Sequence, residues 1–236
     1  MALLMPKTTP EQDAIGKKLR QKVRVRRGGI TFVGPKGVGK TRIVGVVHSK
    51  APKGETTLNL FVACKTDHAD KQAVEVGVAA GCKPLTLGRL PAVQAALESS
   101  ASATFTITPT SFSNLLNQGH VFHDKCIATL KALKVTCIRL TLDEAHKAYG
   151  GSSNKPAKIA AWREALAKEG IALVVTAVTA TPLWDVKSKA QGSLAKRACT
   201  VLGLEIGKGE TAVEVLTDNM VAVSDEEAKA IFAVTR

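Results

Sequence analysis

The 236-residue sequence predicts an α/β fold, a mostly parallel sheet with helices on both faces, followed by a small C-terminal appendage. Three observations predict it. Short apolar runs alternate with helix-length amphipathic segments, which is how βαβ units read. The runs ITFVG, LNLFVAC, VTCIRLTL and IALVVTAV look apolar on both faces, as strands covered by helices on each side must be. The first of them opens into a glycine-rich loop and then a helix.

The elements follow in order. TTPEQDAIGKKLRQKV starts as a capped helix, with Thr9 as N-cap, Pro10 at the first helical position and Gln12 as capping-box partner. ITFVG is a strand and KTRIVGVVHSK the helix beyond the glycine loop. LNLFVAC is a strand and DHADKQAVEVGVAAG a helix. KPLTLG reads as a short strand, LPAVQAALES as a short helix and ATFTIT as a strand. SFSNLLNQG and DKCIATLKAL are helices, and VTCIRLTL is a strand. In AKIAAWREALAKEG, Ile159, Trp162 and Leu166 share one face, and Gly170 closes the helix before the strand IALVVTAV. Beyond Pro182 the pattern weakens. KSKAQGSLAKRA reads as a basic helix, TAVEVL and MVAV as a small hairpin, and SDEEAKAIF as a short helix with Ser224 and Glu227 at capping-box spacing.

Composition narrows the function. A hydrophobic content of 45% supports a sizeable core. A formal charge of +13 calls for an acidic partner, with nucleic acid ahead of a membrane surface. No apolar run approaches the roughly 20 residues that span a bilayer. The opening MALLMPKTTPEQ has no long apolar core of a signal peptide. The five cysteines, widely spaced, fit a reducing compartment. The expectation is a soluble, intracellular protein of the cytoplasm, the nucleus or a nucleoprotein particle, with no membrane contact. The basic stretch KKLRQKVRVRR, which includes Arg24 and Arg26, reads equally as a solvated face and as an edge that contacts phosphates.

The loop GPKGVGKT, Gly34 to Thr41, matches G-x-x-x-x-G-K-[ST]. Gly34, Gly37 and Gly39 let the backbone wrap phosphate oxygens and present its N–H groups, and the helix N-terminus adds positive charge behind them. Lys40 would reach the β- and γ-phosphates of ATP, and the Thr41 hydroxyl would ligate Mg²⁺. In IRLTLDEAHKAYG an apolar run ends in acids. A neighbouring parallel strand ends beside the phosphates at the carboxyl edge of such a sheet. Asp143 can there hold Mg²⁺, Glu144 can act on the attacking water, and His146 lies near the γ-phosphate. The chain accordingly divides into a basic N-terminal helix and lead-in (1–28), a P-loop ATP-binding domain (29–185) and the appendage (186–236).

With VTATPLW downstream, these residues resemble the first RecA-like lobe of superfamily 2 helicases of the DEAD/DEAH-box type, from about Gln12 to Trp184 and in that family's order. GPKGVGKT is similar to motif I, DEAH to motif II, and Thr179-Ala180-Thr181 to motif III. CKTDHADKQ resembles motif Ia, and TPTSF, from Thr108 to Phe112, resembles motif Ib. The resemblance implies that Gln12 recognises adenine and that Lys65, Thr66 and Thr108 touch the sugar-phosphate backbone of DNA or RNA. It also implies that Thr179 and Thr181 couple that surface to the nucleotide. The family needs a second RecA-like lobe to supply arginine fingers, worth roughly 10³ to 10⁵ in rate. No such segment follows motif III, and Arg197 and Arg236 read as surface charge. The expected partners are nucleic acid and a protein chain bearing that lobe, or a larger nucleoprotein assembly. ATP binding should then exceed ATP hydrolysis. His120, His123 and Cys126 have a zinc-like spacing without a fourth ligand. Trp162 and Trp184 read as packing residues.

Overall fold

The computed structural model describes residues 8–25, 28–78, 83–149, 154–182 and 189–234. The first half of the chain runs α1 (Pro10–Val25), β1 (Ile30–Val33), α2 (Lys40–His48), β2 (Thr57–Val62), α3 (His68–Glu75), α4 (Leu90–Ser99), β3 (Ser102–Ile107), α5 (Pro109–Leu115) and α6 (Val121–Ala132). The second runs β4 (Cys137–Leu142), α7 (His146–Tyr149), α8 (Lys155–Lys168), β5 (Ala172–Thr179), α9 (Lys189–Leu202), α10 (Ala212–Asp218), β6 (Met220–Ala222) and α11 (Asp225–Val234). The strands form one sheet in the order β3-β2-β4-β5-β1-β6, and every pairing is parallel. Parallel neighbours need a crossover, which the helices supply. None of the described helices is long and apolar enough to cross a membrane.

Side-chain alternation along the strands feeds two cores, one on each face. Leu58, Leu60, Leu140, Val175 and Ala177 join Trp162 of α8 and Leu202 of α9 on one side. Phe32, Phe61 and Val178 join Ile15 and Leu19 of α1, Val44 of α2 and Ile231 of α11 on the other. Trp162 is fully buried, as its place on the helix predicts.

The second layer departs from the expectation of strands apolar on both faces. Asn59, Arg139 and Thr141 are buried there. Arg139 Nη1 donates to the carbonyls of Val47 at 3.3 Å and Lys50 at 3.0 Å, and His48 Nε2 lies 3.1 Å from Thr141 Oγ1. The last carbonyls of a helix lack intrahelical partners, and a cation there also suits the helix dipole. The helix that starts at the glycine loop is thus clamped at its far end by the strand that leads to the acids.

Local capping follows the sequence. Thr9 N–H donates to Gln12 Oε1 at 3.0 Å and Gln12 N–H to Thr9 Oγ1 at 3.3 Å. Ser224 and Glu227 make the same reciprocal pair at the start of α11. Gly170, at φ +74°, closes α8. KSKAQGSLAKRA lies largely in α9.

Two expected elements are different. KPLTLG forms no strand: Leu85 makes one bond to the edge strand, N–H to Thr106 C=O at 2.7 Å. Pro84 has no N–H with which to extend a ladder. TAVEVL and MVAV form no hairpin. The first is the helix α10, opened by a Thr211–Glu214 capping box, and the second is β6, parallel to β1 with Phe32 opposite Val221. The Thr-x-x-Glu spacing outweighs the β-branched content of the helix, and β1 takes β6 as its outer neighbour. The segment expected as an appendage therefore contributes a strand to the sheet.

Candidate functional site

The exit of β1 is fixed from both sides. Gly34 N–H donates to Thr179 C=O at 3.2 Å, and Val223 N–H donates to Val33 C=O at 2.9 Å. The loop therefore leaves the sheet between the ends of β5 and β6. Gly37 and Gly39 adopt φ +93° and +77°, with the Val38 side chain fully buried between them. Left-handed residues at alternate positions turn successive N–H groups inward. Gly39 caps α2 without a side-chain bond, and the first turn of α2 holds no acid, so its positive end is uncompensated by its own sequence.

Gln12 braces the loop from behind. It is 3% exposed, its Oε1 accepts from Thr9, and its Nε2 donates to Val38 C=O at 2.9 Å. Lys40 Nζ donates to Gly34 C=O at 2.9 Å and Pro35 C=O at 3.0 Å. Burial pushes the Lys40 ammonium below its ordinary pKa, against the charges of Glu144 and Asp143, which favour the proton. Thr41 follows as the second residue of α2.

The acids leave β4 under tight backbone control. Asp143 N–H donates to Val62 C=O at 3.1 Å and Ala145 N–H to Val178 C=O at 2.8 Å. Glu144, between them, is held at φ +49°, unusual for a residue with a side chain. Its carboxylate lies 3.3 Å from His146 Nδ1. β5, with Thr179 and Thr181 at its end, stands between β4 and β1, so the acids come from the next strand but one. Thr179 Oγ1 donates to Thr181 C=O at 3.0 Å and accepts from Thr181 N–H at 3.3 Å, which makes the Thr179-Ala180-Thr181 triplet a small closed turn.

Among the candidates for backbone contact, Lys65 and Thr66 are exposed in the loop after β2. Thr108 caps α5, its Oγ1 accepting from Ser111 N–H at 3.3 Å. Both positions lie at the carboxyl edge. Arg24 falls elsewhere. Its neighbour Val23 lines a cleft with Thr136, Cys137 and Ala172, at the amino ends of β4 and β5. Arg26, Trp184 and Arg236 lie outside the described residues, and Arg197 is on α9.

Of the zinc-like trio, His120 caps α6 by accepting from Phe122 N–H at 3.1 Å, His123 bonds the Leu115 carbonyl at 2.8 Å, and Cys126 is buried with its thiol pushed up to about 12. Sequence reasoning missed Gln72, whose Nε2 donates to Asp143 Oδ2 at 2.7 Å. Its available signal was its place, four residues past His68, at the end of CKTDHADKQ. Also unforeseen were Cys64 beside Asp143 and Phe232 of α11, whose ring stands 3.4 Å from where a Cβ on Gly37 would be.

No protein-family model and no curated protein matches the sequence. Solved structures do match. The SWI2/SNF2 ATPase core of Sulfolobus solfataricus, in complex with dsDNA, aligns over 94% of this chain and 46% of its own, at 16% identity and a TM-score of 0.54. The Hef helicase domain of Pyrococcus furiosus aligns over 93% of this chain and 39% of its own, at 15% identity and a TM-score of 0.51. The DUF1998 helicase MrfA, bound to DNA, aligns over 94% of this chain and 30% of its own, at 14% identity and a TM-score of 0.54. The chain thus spans less than half the length of each. Six parallel strands with flanking helices give the chain the α/β fold of a RecA-like lobe, the fold it has in common with these ATPase and helicase cores.

Proposed function

We propose that the chain binds ATP with Mg²⁺ and contacts the nucleic-acid backbone, as one lobe of a split or partner-dependent helicase-like motor. The observation that carries this is Lys40 at the start of α2, behind the left-handed glycines Gly37 and Gly39, with Asp143 and Glu144 leaving β4 at the same edge of the sheet. The residues suit the ligand. A loop of left-handed glycines and an uncapped helix start suit phosphate oxygens, and a hydroxyl with a carboxylate suits a hard cation. Mg²⁺, when bound, neutralises charge on the β- and γ-oxygens.

Lys40 would exchange its own loop carbonyls for phosphate oxygens, and Thr41 and Asp143 would hold the metal. Glu144 would accept the proton of the water whose oxygen bonds to the γ-phosphorus as the bridging P–O bond breaks toward ADP. His146, against Glu144, and the Thr179–Thr181 turn are the candidate links to a strand lying on Lys65, Thr66 and Thr108. Adenine recognition by Gln12 rests on the resemblance, because both ends of its amide are engaged by the backbone. Arginines facing the γ-phosphate would come from a second RecA-like lobe outside these residues.

Steady-state ATP hydrolysis, with and without single- and double-stranded DNA and RNA, tests this against Glu144→Gln. Turnover stimulated by nucleic acid and lost in the variant supports a motor. ATP bound without turnover supports dependence on the second lobe. Salt-sensitive association with nucleic acid that ignores ATP would replace both with a scaffolding role in a nucleoprotein particle.

A further inference from the structure

Asp143 is held from a direction that its own motif does not account for. The 2.7 Å bond from Gln72 Nε2 has the short length of a charge-assisted contact. Gln72 Oε1 is buried and has no hydrogen-bond partner among the described residues. Turning the amide over would set two oxygens against each other, so the carboxylate alone orients this side chain.

Gln72 belongs to a stripe. His68, Gln72 and Glu75 stand at i, i+4 and i+7 on α3, along one side of the helix. Each is tied toward the nucleotide site. His68 Nδ1 lies 3.4 Å from Cys64 Sγ, and Cys64 lines one cleft with Asp143. The Glu75 carboxylate lies 3.8 Å from Arg42 Nε, one residue beyond Thr41. Ala69 and Ala73 are buried beside the stripe, small enough to let α3 lie close to the sheet. Lys65 and Thr66 sit in the loop just ahead of α3, so one short helix joins a candidate strand-contacting loop to Asp143 and to α2.

We propose that Gln72 is a positioning residue for Asp143, and that through α3 it makes the Mg²⁺ site responsive to a strand bound at Lys65 and Thr66. This rests on the nucleotide-binding reading above. With Oδ2 held by Gln72, the other carboxylate oxygen is left in a fixed direction for the cation. Partners of this kind to metal ligands are worth about 10- to 100-fold in metal affinity.

The test titrates Mg²⁺ against binding of a fluorescent ADP analogue, with an EDTA baseline, a thermal midpoint and a repeat with single-stranded nucleic acid. Gln72→Met keeps the side-chain length and removes both polar atoms. Lys71→Met, on the exposed side of the same turn, is the control. Gln72→Met is expected to raise the half-saturating Mg²⁺ about tenfold, to leave affinity in EDTA unchanged, and to abolish the shift in Mg²⁺ requirement that nucleic acid brings. Lys71→Met should follow the parent chain. A Gln72→Met titration that overlays the parent's overturns the inference, as does an equal loss of affinity in EDTA. Should Gln72→Met fail to fold, Gln72→Asn withdraws the amide by one methylene and carries the same expectation. A parent chain without Mg²⁺-dependent nucleotide binding sinks the nucleotide reading and this inference together. A parent that shows it beside an unaltered variant sinks the inference alone.

Discussion

Alanine at Gly39 sets a well-defined conflict between the glycine loop and Gln12. The residue adopts φ +77°, and a Cβ added there would stand 2.5 Å from Gln12 Nε2. Two costs then add. An L-residue in the left-handed region loses roughly 1–2 kcal/mol. Gln12 must also swing away, giving up its bonds to Val38 C=O and Thr9 N–H. Each of those contributes about 0.5–1.5 kcal/mol net. The expected loss is about 2–5 kcal/mol by urea denaturation. Gly170 is the matched control: φ is +74°, and nothing lies within 4 Å of its added Cβ. Gly170→Ala should therefore cost only the strain, roughly 1–2 kcal/mol. In a Gln12→Ala background the penalty of Gly39→Ala should shrink toward that of the control, because the clashing partner is gone. Equal costs for the two glycine substitutions, or strict additivity with Gln12→Ala, would refute the reasoning.

Three further outcomes are expected. Arg139→Met strips a donor from the carbonyls of Val47 and Lys50, and should lower stability by about 1–3 kcal/mol for each group left unsatisfied; a urea midpoint within error of the parent's contradicts this. His48 is pushed down to about 3, by burial first and by the Arg139 charge second, from an ordinary 6.5. The unfolded chain then takes a proton that the folded chain refuses. Stability present above pH 6.5 is lost as pH falls toward 3, at up to about 1.4 kcal/mol per pH unit. Urea midpoints at stepped pH should show that slope in the parent and its flattening in His48→Gln. Glu144→Gln should keep nucleotide affinity in an equilibrium titration while losing about 10²- to 10⁴-fold in turnover, and unchanged turnover would remove Glu144 from the chemistry.

What could be read from the sequence was local in the chain. The Thr9–Gln12 and Ser224–Glu227 boxes, the glycine loop and the acids after an apolar strand all sit within a few residues of their partners. Fold class followed from alternation, which is also local. What escaped needed partners distant in sequence. Arg139 reads as an odd residue in a strand until α2 brings its carbonyls to it. Gln72 and Asp143 meet only because β2 and β4 are adjacent. MVAV reads as half of a hairpin because parallel pairing leaves no turn beside the strand to announce it. Nor does the sequence show that Val23 of α1 lines one cleft with Thr136, Cys137 and Ala172, at the amino ends of β4 and β5.

The pairing of β1 has a consequence for how the molecule is made. Ile30 pairs with Thr176 on one side, and Thr31 with Met220 on the other. Ribosomes add on the order of 5–20 residues per second, so this early strand waits roughly ten seconds or more after synthesis for its outer neighbour. β2, β3 and β4, which pair among themselves, are all made well before then. Until β5 and β6 have been made, the nascent chain thus exposes an apolar, unpaired strand, a natural target for chaperones. The glycine loop gains both of its flanking strands only once β6 has been made, and truncations that remove β6 should loosen it while leaving the β2–β3–β4 region to assemble.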